Sequence, residues 1–435
     1  MHVSNLLKVM RQVEKHIVKS NNPIWKQIDD LCFLSKNLYN FANYQVRQSF
    51  IFNNVYLGFN QLYHLVKTSV DYKALPAKVS QQVLRVLDKN WKSFFEAIKA
   101  YKKNPSKFLG IPKLPKYKDK IKGRNLLVYT IQAISKKEFK KGIVKLSGTD
   151  IAIPTSVSNI AQVRVVPQTN QYAIEIVYEK ELSCTVNNPN AIAAIDIGVN
   201  NLATLTSNQI GTTPILINGR PLKSINQFYN KQKAKLQSKL RGNQKTSNLL
   251  KRITANRNNK INTYLHICSR WIINYLDKIG ISKLVIGKNP LWKQEIKLRK
   301  KNNQSFVYIP HAKFIEMLIY KGALKGIEVI TSEESYTSKA SFLNLDYIPT
   351  YKKEDTDSEL PFEWRDVRDD YKKVKFSGYR ESRGIYKIRG KETRINSDVN
   401  GSYNILRKAI PTAFSEGIEG VVVRPFRVTP GKAKI

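Results

Sequence analysis

Acidic residues, sulfur and long apolar runs are all scarce in this chain, and each shortage excludes something. Only 33 Asp and Glu stand against 74 Lys and Arg in 435 residues, a formal charge of +41. Self-repulsion on that scale destabilises a free compact chain and predicts a polyanionic partner. Nucleic acid fits, because every phosphate neutralised by Lys or Arg releases counterions. Three cysteines, Cys32, Cys184 and Cys268, lie too far apart for a disulfide framework or a metal knuckle. That usage suits a reducing, intracellular compartment, cytoplasmic or nucleoid-associated. No apolar run approaches the ~18 residues of a membrane span, so no membrane is expected as a partner. The opening residues, MHVSNLLKVMRQVEKH, show no apolar h-region or small-residue cleavage site, so secretion is not expected. An apolar content of 42% is nonetheless enough for real cores, which excludes wholesale disorder.

The positive charge runs along the whole chain, densest in 97–123, 231–260 and 293–301. Distributed charge of this kind suggests grooves through several domains rather than a polybasic tail. Apolar spacing near three and four predicts amphipathic helices over 24–50 and 78–102. A Pro/Gly/Lys-rich stretch, 104–123, ends this helical region. Residues 124–182 then read as short β-branched strands of a small barrel or open sheet. A third region alternates strands and helices: a strand pair in 191–206, a long helical stretch in 222–278, strand KLVIG at 283–287, a helix over 311–325 and strand GIEVI at 326–330. A loop-rich insert (339–396) and a last helix, DVNGSYNILRKAI, follow. Alternation of this sort indicates an α/β domain within an α+β multidomain chain.

With so few acids, those at the ends of apolar strands stand out. Asp196 closes AIAAID, where an uncompensated carboxylate would cost several kcal/mol and so needs a metal, a cation or strong hydrogen bonds. A turn satisfied by backbone amides is the plainer alternative. Asp398 opens the last helix, where N-capping or the helix dipole would also explain it. Taken together, an aspartate on a first strand, a late one opening a helix and a third acid between them match the RNase H-like arrangement. There converging carboxylates hold two Mg²⁺ about 4 Å apart, and three acids without histidine suit Mg²⁺.

The ordered blocks AIDIGVNNLATLT, YTSK and INSDVNGSYNIL, with NLYNFANYQVRQ and FLGIPKLPKYK ahead of them, resemble the TnpB family, transposon-encoded ancestors of type V CRISPR effectors. The resemblance implies a wedge-like β-barrel domain (1–22 and 106–188), a helical recognition domain inserted at 23–105, a RuvC-like, RNase H-like nuclease domain at 189–410 with the insert 339–396, and a tail at 411–435. It also implies a guide RNA from the transposon end and target double-stranded DNA as partners, with a monomer favoured. Asp196 and Asp398 take the positions of two catalytic, Mg²⁺-ligating aspartates.

Two departures from the family pattern matter. The middle strand normally ends in glutamate, but here it ends in Gly287. Either nuclease activity is lost or the acid has moved. Glu334, in TSEESYTSK after strand GIEVI, resembles the relocated acid of a rearranged-site subset, with Glu333 second and Glu295 third; neighbouring strand residues face opposite ways, so one of the pair is expected in the site. In addition, Ser341 and Asn344 stand where many relatives carry zinc-binding cysteines, so structural zinc is expected to be absent. The insert would then be held by Phe342, Leu345, Phe362, Trp364, Phe376 and Tyr379, or be loose. Lys102, Lys103, Lys107, Lys113, Lys116, Lys118, Lys239, Arg241, Arg252 and Lys293 are expected to follow nucleic-acid phosphates. The function expected is Mg²⁺-dependent, RNA-guided cleavage of DNA beside a short motif. A nuclease-dead guided repressor and an unguided transposition accessory protein remain as alternatives.

Overall fold

The computed structural model describes residues 9–182, 188–242, 244–289, 308–349 and 374–431. Lys293, Glu295, Cys184, Phe362 and Trp364 lie outside them. The chain divides into two compact units, Met1–Glu181 with Thr246–Ala255, and Leu182–Lys245 with Asn256–Ile435.

In the first unit, β1 (Val9–Lys19) precedes helices α1 (Trp25–Asn53) and α2 (Ala77–Lys103), and β2 (Leu127–Thr130), β3 (Ile160–Gln168) and β4 (Gln171–Glu181) follow. The sheet order is β1-β4-β3-β2, with β1 antiparallel to β4 from Val9 opposite Glu181 to Lys19 opposite Gln171. The helices are thus enclosed between two strands of one sheet. Among the described residues β1 and β2 do not pair, so these strands form an open sheet rather than a closed barrel. Helix and sheet share one core, in which Ile28, Leu38, Leu84 and Trp91 meet Val163 and Ile174. Arg124 adds a bidentate pair to Asp29 of α1 (2.8 and 2.7 Å), and the Tyr172 hydroxyl of β4 donates to the same carboxylate.

The second unit carries β5 (Ile192–Asp196), β6 (Asn201–Ser207), β7 (Ile215–Asn218), α3 (Arg220–Gln237), α4 (Asn248–Lys278, which begins in the first unit), β8 (Lys283–Gly287), α5 (His311–Ala323) and β9 (Glu328–Ser332). After these come a three-stranded sheet, β10 (Gly378–Ser382), β11 (Ile385–Ile388) and β12 (Arg394–Asn396), then α6 (Ser397–Ala409) and β13 (Phe426–Val428). The main sheet has the order β9-β8-β5-β6-β7-β13; β5, β8 and β9 run parallel, and β6 is antiparallel to both its neighbours.

Strand β5 is apolar throughout because both its faces are covered. Ala193 and Ile195 point into a core with Leu265, Ile272 and Phe314, whereas Ile192 and Ala194 join Val285, Ile405 and Leu406 of α6 on the other face. With a period of two, Asp196 and Gly287 continue onto the α6 side.

Two expectations are corrected here. The helical stretch expected over 222–278 is interrupted between Gln237 and Asn248, with Gly242 left-handed at φ +56°. The described part of the expected tail, residues 411–431, is not separate from the domain: β13 pairs in parallel with β7 (Phe426 opposite Ile215, Val428 opposite Ile217) and covers what would be an open sheet edge.

Candidate active site

Parallel strands release their carboxyl ends on one side of a sheet, where α/β proteins hold their ligands. Asp196 ends β5; β8 beside it ends at Gly287, and Gly287 pairs in register with Ser332 of β9. Two residues beyond Ser332 the chain turns back over β8. Asn289 Oδ1 accepts the Glu334 amide at 3.1 Å, and the Lys288 amide donates to Ser332 O at 2.8 Å. This turn delivers the Glu334 carboxylate above Gly287, so that a side chain at 287 would run into Glu334 Oε2. Glycine at the middle strand therefore leaves a space, and the glutamate from the next strand fills it.

Asp398 arrives from the other direction, in the first turn of α6. Capping does not account for it: the cap is Asn396, whose Oδ1 accepts the amides of Asp398 (3.0 Å) and Val399 (3.1 Å). The Asp398 carboxylate is left for other partners. Asn201 donates to its Oδ2 at 2.8 Å, and Arg380 lies 3.5 Å from its Oδ1. Helix α6 comes this close because Gly401 has no side chain; a Cβ there would stand 3.0 Å from Asp196 Oδ2.

Asp196 lies on the wall of a cavity of about 910 Å³ that Asn201, Asp398, Arg220, Lys223, Arg380 and Arg427 also line. Desolvation pushes its pKa well above the usual carboxylate range, and Glu334 and then Asp398 push it further. Glu334, off the cavity wall, is raised to about 7, first by burial and then by Glu333 beside it. No hydrogen bond or ion pair among the described residues engages the Asp196 carboxylate. As they stand, no three His, Cys, Asp or Glu side chains among the described residues are close enough together to hold a metal ion.

Glu333 is drawn elsewhere. Its carboxylate pairs with Lys408, which also donates to Ser335 O at 2.8 Å and Pro349 O at 2.9 Å. Lys408 is ten residues along α6 from Asp398, about 15 Å of helix rise. His311, buried at the start of α5, lies with Nε2 3.1 Å from Gly198 O and so backs the loop after Asp196. Asn400 and Asn404, which by position could have oriented a substrate strand, are both buried and committed. Asn400 accepts from the Phe342 amide and donates to Ala340 O, while Asn404 donates to Thr337 O and Ala340 O. They clamp the TSKAS turn to α6.

Around Ser341 and Asn344 a hydrogen-bond knot is found. Asp346 accepts the amides of Ser341 (2.8 Å) and Ser377 (2.9 Å), and Asn344 donates to Ser377 Oγ. Phe342 is fully buried, stacked on Tyr403 at 4.3 Å, whereas Leu345 and Tyr379 are exposed. Of the expected phosphate contacts, Lys102 and Lys103 end α2, Lys107 ends a short 3-10 turn (Pro105–Lys107), Lys113, Lys116 and Lys118 lie in the irregular segment after it, Lys239 and Arg241 follow α3, and Arg252 is on α4; all are exposed and none lines the cavity. Sequence reasoning missed the cations that do line it. It also missed Asn201, whose one signal was a polar residue five positions after Asp196 at the start of an apolar strand.

Fold and site together define a mixed α+β protein with half-buried carboxylates at and near the ends of parallel strands, rimmed by arginines. Residues 175–292 match the family model OrfB_IS605, described as a probable transposase, and residues 311–405 match the Cas12f1-like TNB domain. These two matches, in order along the chain, are consistent with a member of the TnpB family. No curated protein matches it. Similar solved structures include a Cas12f1–sgRNA–target DNA complex (14% identity over 91% of this chain and 98% of that one, TM-score 0.34) and a CRISPR-Cas12f ternary complex (14%, 88% and 82%, 0.33). Another is an AacC2c1–sgRNA–extended non-target DNA complex (8%, 89% and 65%, 0.42). At these scores the family rests on the two sequence models. Among the described residues, no helix is long and apolar enough to cross a membrane.

Proposed function

We propose that this chain is an RNA-guided DNA endonuclease whose second unit is a RuvC-type, RNase H-like nuclease domain with Asp196, Glu334 and Asp398 as its acidic residues. The observation that supports this best is the path of Glu334: its carboxylate takes the place of a side chain at Gly287, next to Asp196. This supports the relocated-acid reading over loss of the acid, and the pair of Glu333 with Lys408 supports Glu334 over Glu333.

By its chemistry the donor set suits Mg²⁺, and the three carboxylates would have to draw together to hold it. The set offers hard carboxylate oxygens without thiolate or imidazole, and Asp196 carries a desolvated charge that Arg380 offsets only in part and that no hydrogen bond or ion pair among the described residues engages. When bound, a pair of Mg²⁺ ions would supply activation of the attacking water and stabilisation of the leaving oxygen. Asp196, Glu334 and Asp398 would hold them. The chain's own contribution is to aim three acids from β5, the β9 turn and α6, and to line the approach with Arg220, Lys223, Arg380 and Arg427, which suit backbone phosphates. In this reading the first unit, as wedge and recognition domains, holds a guide RNA from the transposon end, and base pairing selects the target beside a short duplex motif.

The test uses the protein purified with its co-expressed flanking RNA, matched DNA and Mg²⁺. Wild type, Asp196→Ala, Glu334→Ala, Glu333→Ala and Glu295→Ala are compared. Loss of cutting in Asp196→Ala and Glu334→Ala, with cutting kept in Glu333→Ala and Glu295→Ala, supports the assignment. Wild-type cutting by Glu334→Ala refutes it. Tight guided binding without cutting by any variant identifies a nuclease-dead repressor, and binding indifferent to the RNA identifies an unguided accessory protein.

A further inference from the structure

We infer that Asn201 and Arg427 are positioning residues that set the orientation of Asp398, making the carboxy-terminal strand β13 part of the site. This inference rests on the nuclease reading above and deepens it. Asn201 opens β6, where the pairing with β7 slips by one residue between Asn201 and Ala203. A bulge of this kind re-aims a side chain, and here the Asn201 amide, itself buried, lines the cavity. Its Nδ2 donates to Asp398 Oδ2 at 2.8 Å, and its Oδ1 accepts from Arg427 Nη2 at 3.4 Å.

An amide has one donating and one accepting end. With an anion on one side and a cation on the other, a single flip of Asn201 satisfies both. The opposite flip sets oxygen against carboxylate and NH₂ against guanidinium. Arg427 therefore selects the orientation in which Asn201 can donate to Asp398. That donation engages Oδ2 and leaves Oδ1 to Arg380 and to the Ser397 hydroxyl, which donates to it at 3.4 Å. Arg427 comes from the middle of β13, opposite Leu216 of β7. The strand that covers the sheet edge thus also delivers a cation to the first position of β6.

The experiment titrates Mn²⁺ into the full-length protein bound to its RNA, by calorimetry, with Asp196→Ala as the blank and thermal melting as the check on folding. Asn201→Leu keeps the branching of the side chain and removes the hydrogen bonds. It is expected to weaken Mn²⁺ binding by about 10- to 100-fold, the usual effect of losing a group that orients a ligand. Arg427→Ala is expected to weaken it as well, although removing a cation would tighten metal binding if Arg427 acted only through charge. Arg427→Lys, which can still donate to Oδ1, is expected to recover part of the loss. Because Arg427 acts through Asn201, the double variant should be no worse than Asn201→Leu. Wild-type Mn²⁺ affinity in Asn201→Leu, tighter binding in Arg427→Ala, or additive losses would overturn the inference. If wild type binds Mn²⁺ no better than Asp196→Ala, the nuclease reading itself fails, and this inference fails with it.

Discussion

Gly287→Ala adds a single methyl group at the point where the middle strand lacks its acid. The new Cβ would stand 2.5 Å from Ile405 Cδ1 and 3.1 Å from its Cγ1, and would collide with Glu334 Oε2. Ile405 is 1% exposed, packed with Ile192, Ala194, Val285 and Leu406, and has little room to yield. Overpacking a site of this kind costs about 1–3 kcal/mol, which for a unit of this size lowers Tm by roughly 2–12 °C at ~2–4 °C per kcal/mol. The Glu334 arm is the freer neighbour and is expected to swing away from Asp196. A displacement of about 1 Å in a catalytic group can cost ~100-fold in rate, and guided cleavage should fall by about that much.

Stability and activity separate in the double variant Gly287→Ala/Ile405→Val. Valine has no Cδ1, so the clash with the core is relieved and the melting temperature should recover. The clash with Glu334 persists, so cleavage should stay low. Melting curves and single-turnover cleavage on the same preparations read both quantities. Wild-type cleavage in Gly287→Ala, or recovery of both stability and cleavage in the double variant, would refute the view that Glu334 works in the space of residue 287.

Other consequences follow from the same geometry. Glu334 is raised from 4.5 to about 7, so its charged form disfavours folding and the metal-free protein loses stability as pH rises through that window. Glu334→Gln should therefore melt like wild type near pH 4.5 in chelator and above it at pH 7, and Mg²⁺ should close the gap; an equal gap at all pH values contradicts this. Asp196→Asn removes a desolvated, repelled carboxylate and should raise the metal-free melting temperature while abolishing cleavage; a lower melting temperature counts against the repulsion. Asp346→Ala frees the Ser341 and Ser377 amides, and hydrogen exchange should speed up at 341–346 and 377–382 with protection in β5 and β8 unchanged. Unchanged exchange at Ser341 and Ser377 would show that the knot does not hold the insert.

Much of this was legible because burial on both faces writes itself into composition. The runs AIAAID and KLVIG are apolar since α4 and α5 cover one side and α6 the other, and the acid that interrupts the first run is conspicuous for that reason. Glu334 could be read from its place just after a strand. What separates it from Glu333 is the turn held by Asn289 and the remote pair of Glu333 with Lys408, contacts between segments far apart in the chain. Four-residue spacing puts Asn400 and Asn404 on one helix face, and it gives no hint that the TSKAS turn already occupies that face. Strand β13 is three residues long, too short for a periodic signal, and Arg427 was hidden with it. A bulge leaves no periodic signal either, which is why Asn201 went unrecognised.

The most direct measurement is anomalous diffraction from crystals of the RNA-bound protein soaked in Mn²⁺. The account predicts anomalous density bounded by the carboxylates of Asp196, Glu334 and Asp398, with Arg380 turned away from Asp398. Density that avoids Asp196, or a Glu334 carboxylate that takes no part while Glu333 does, would contradict it.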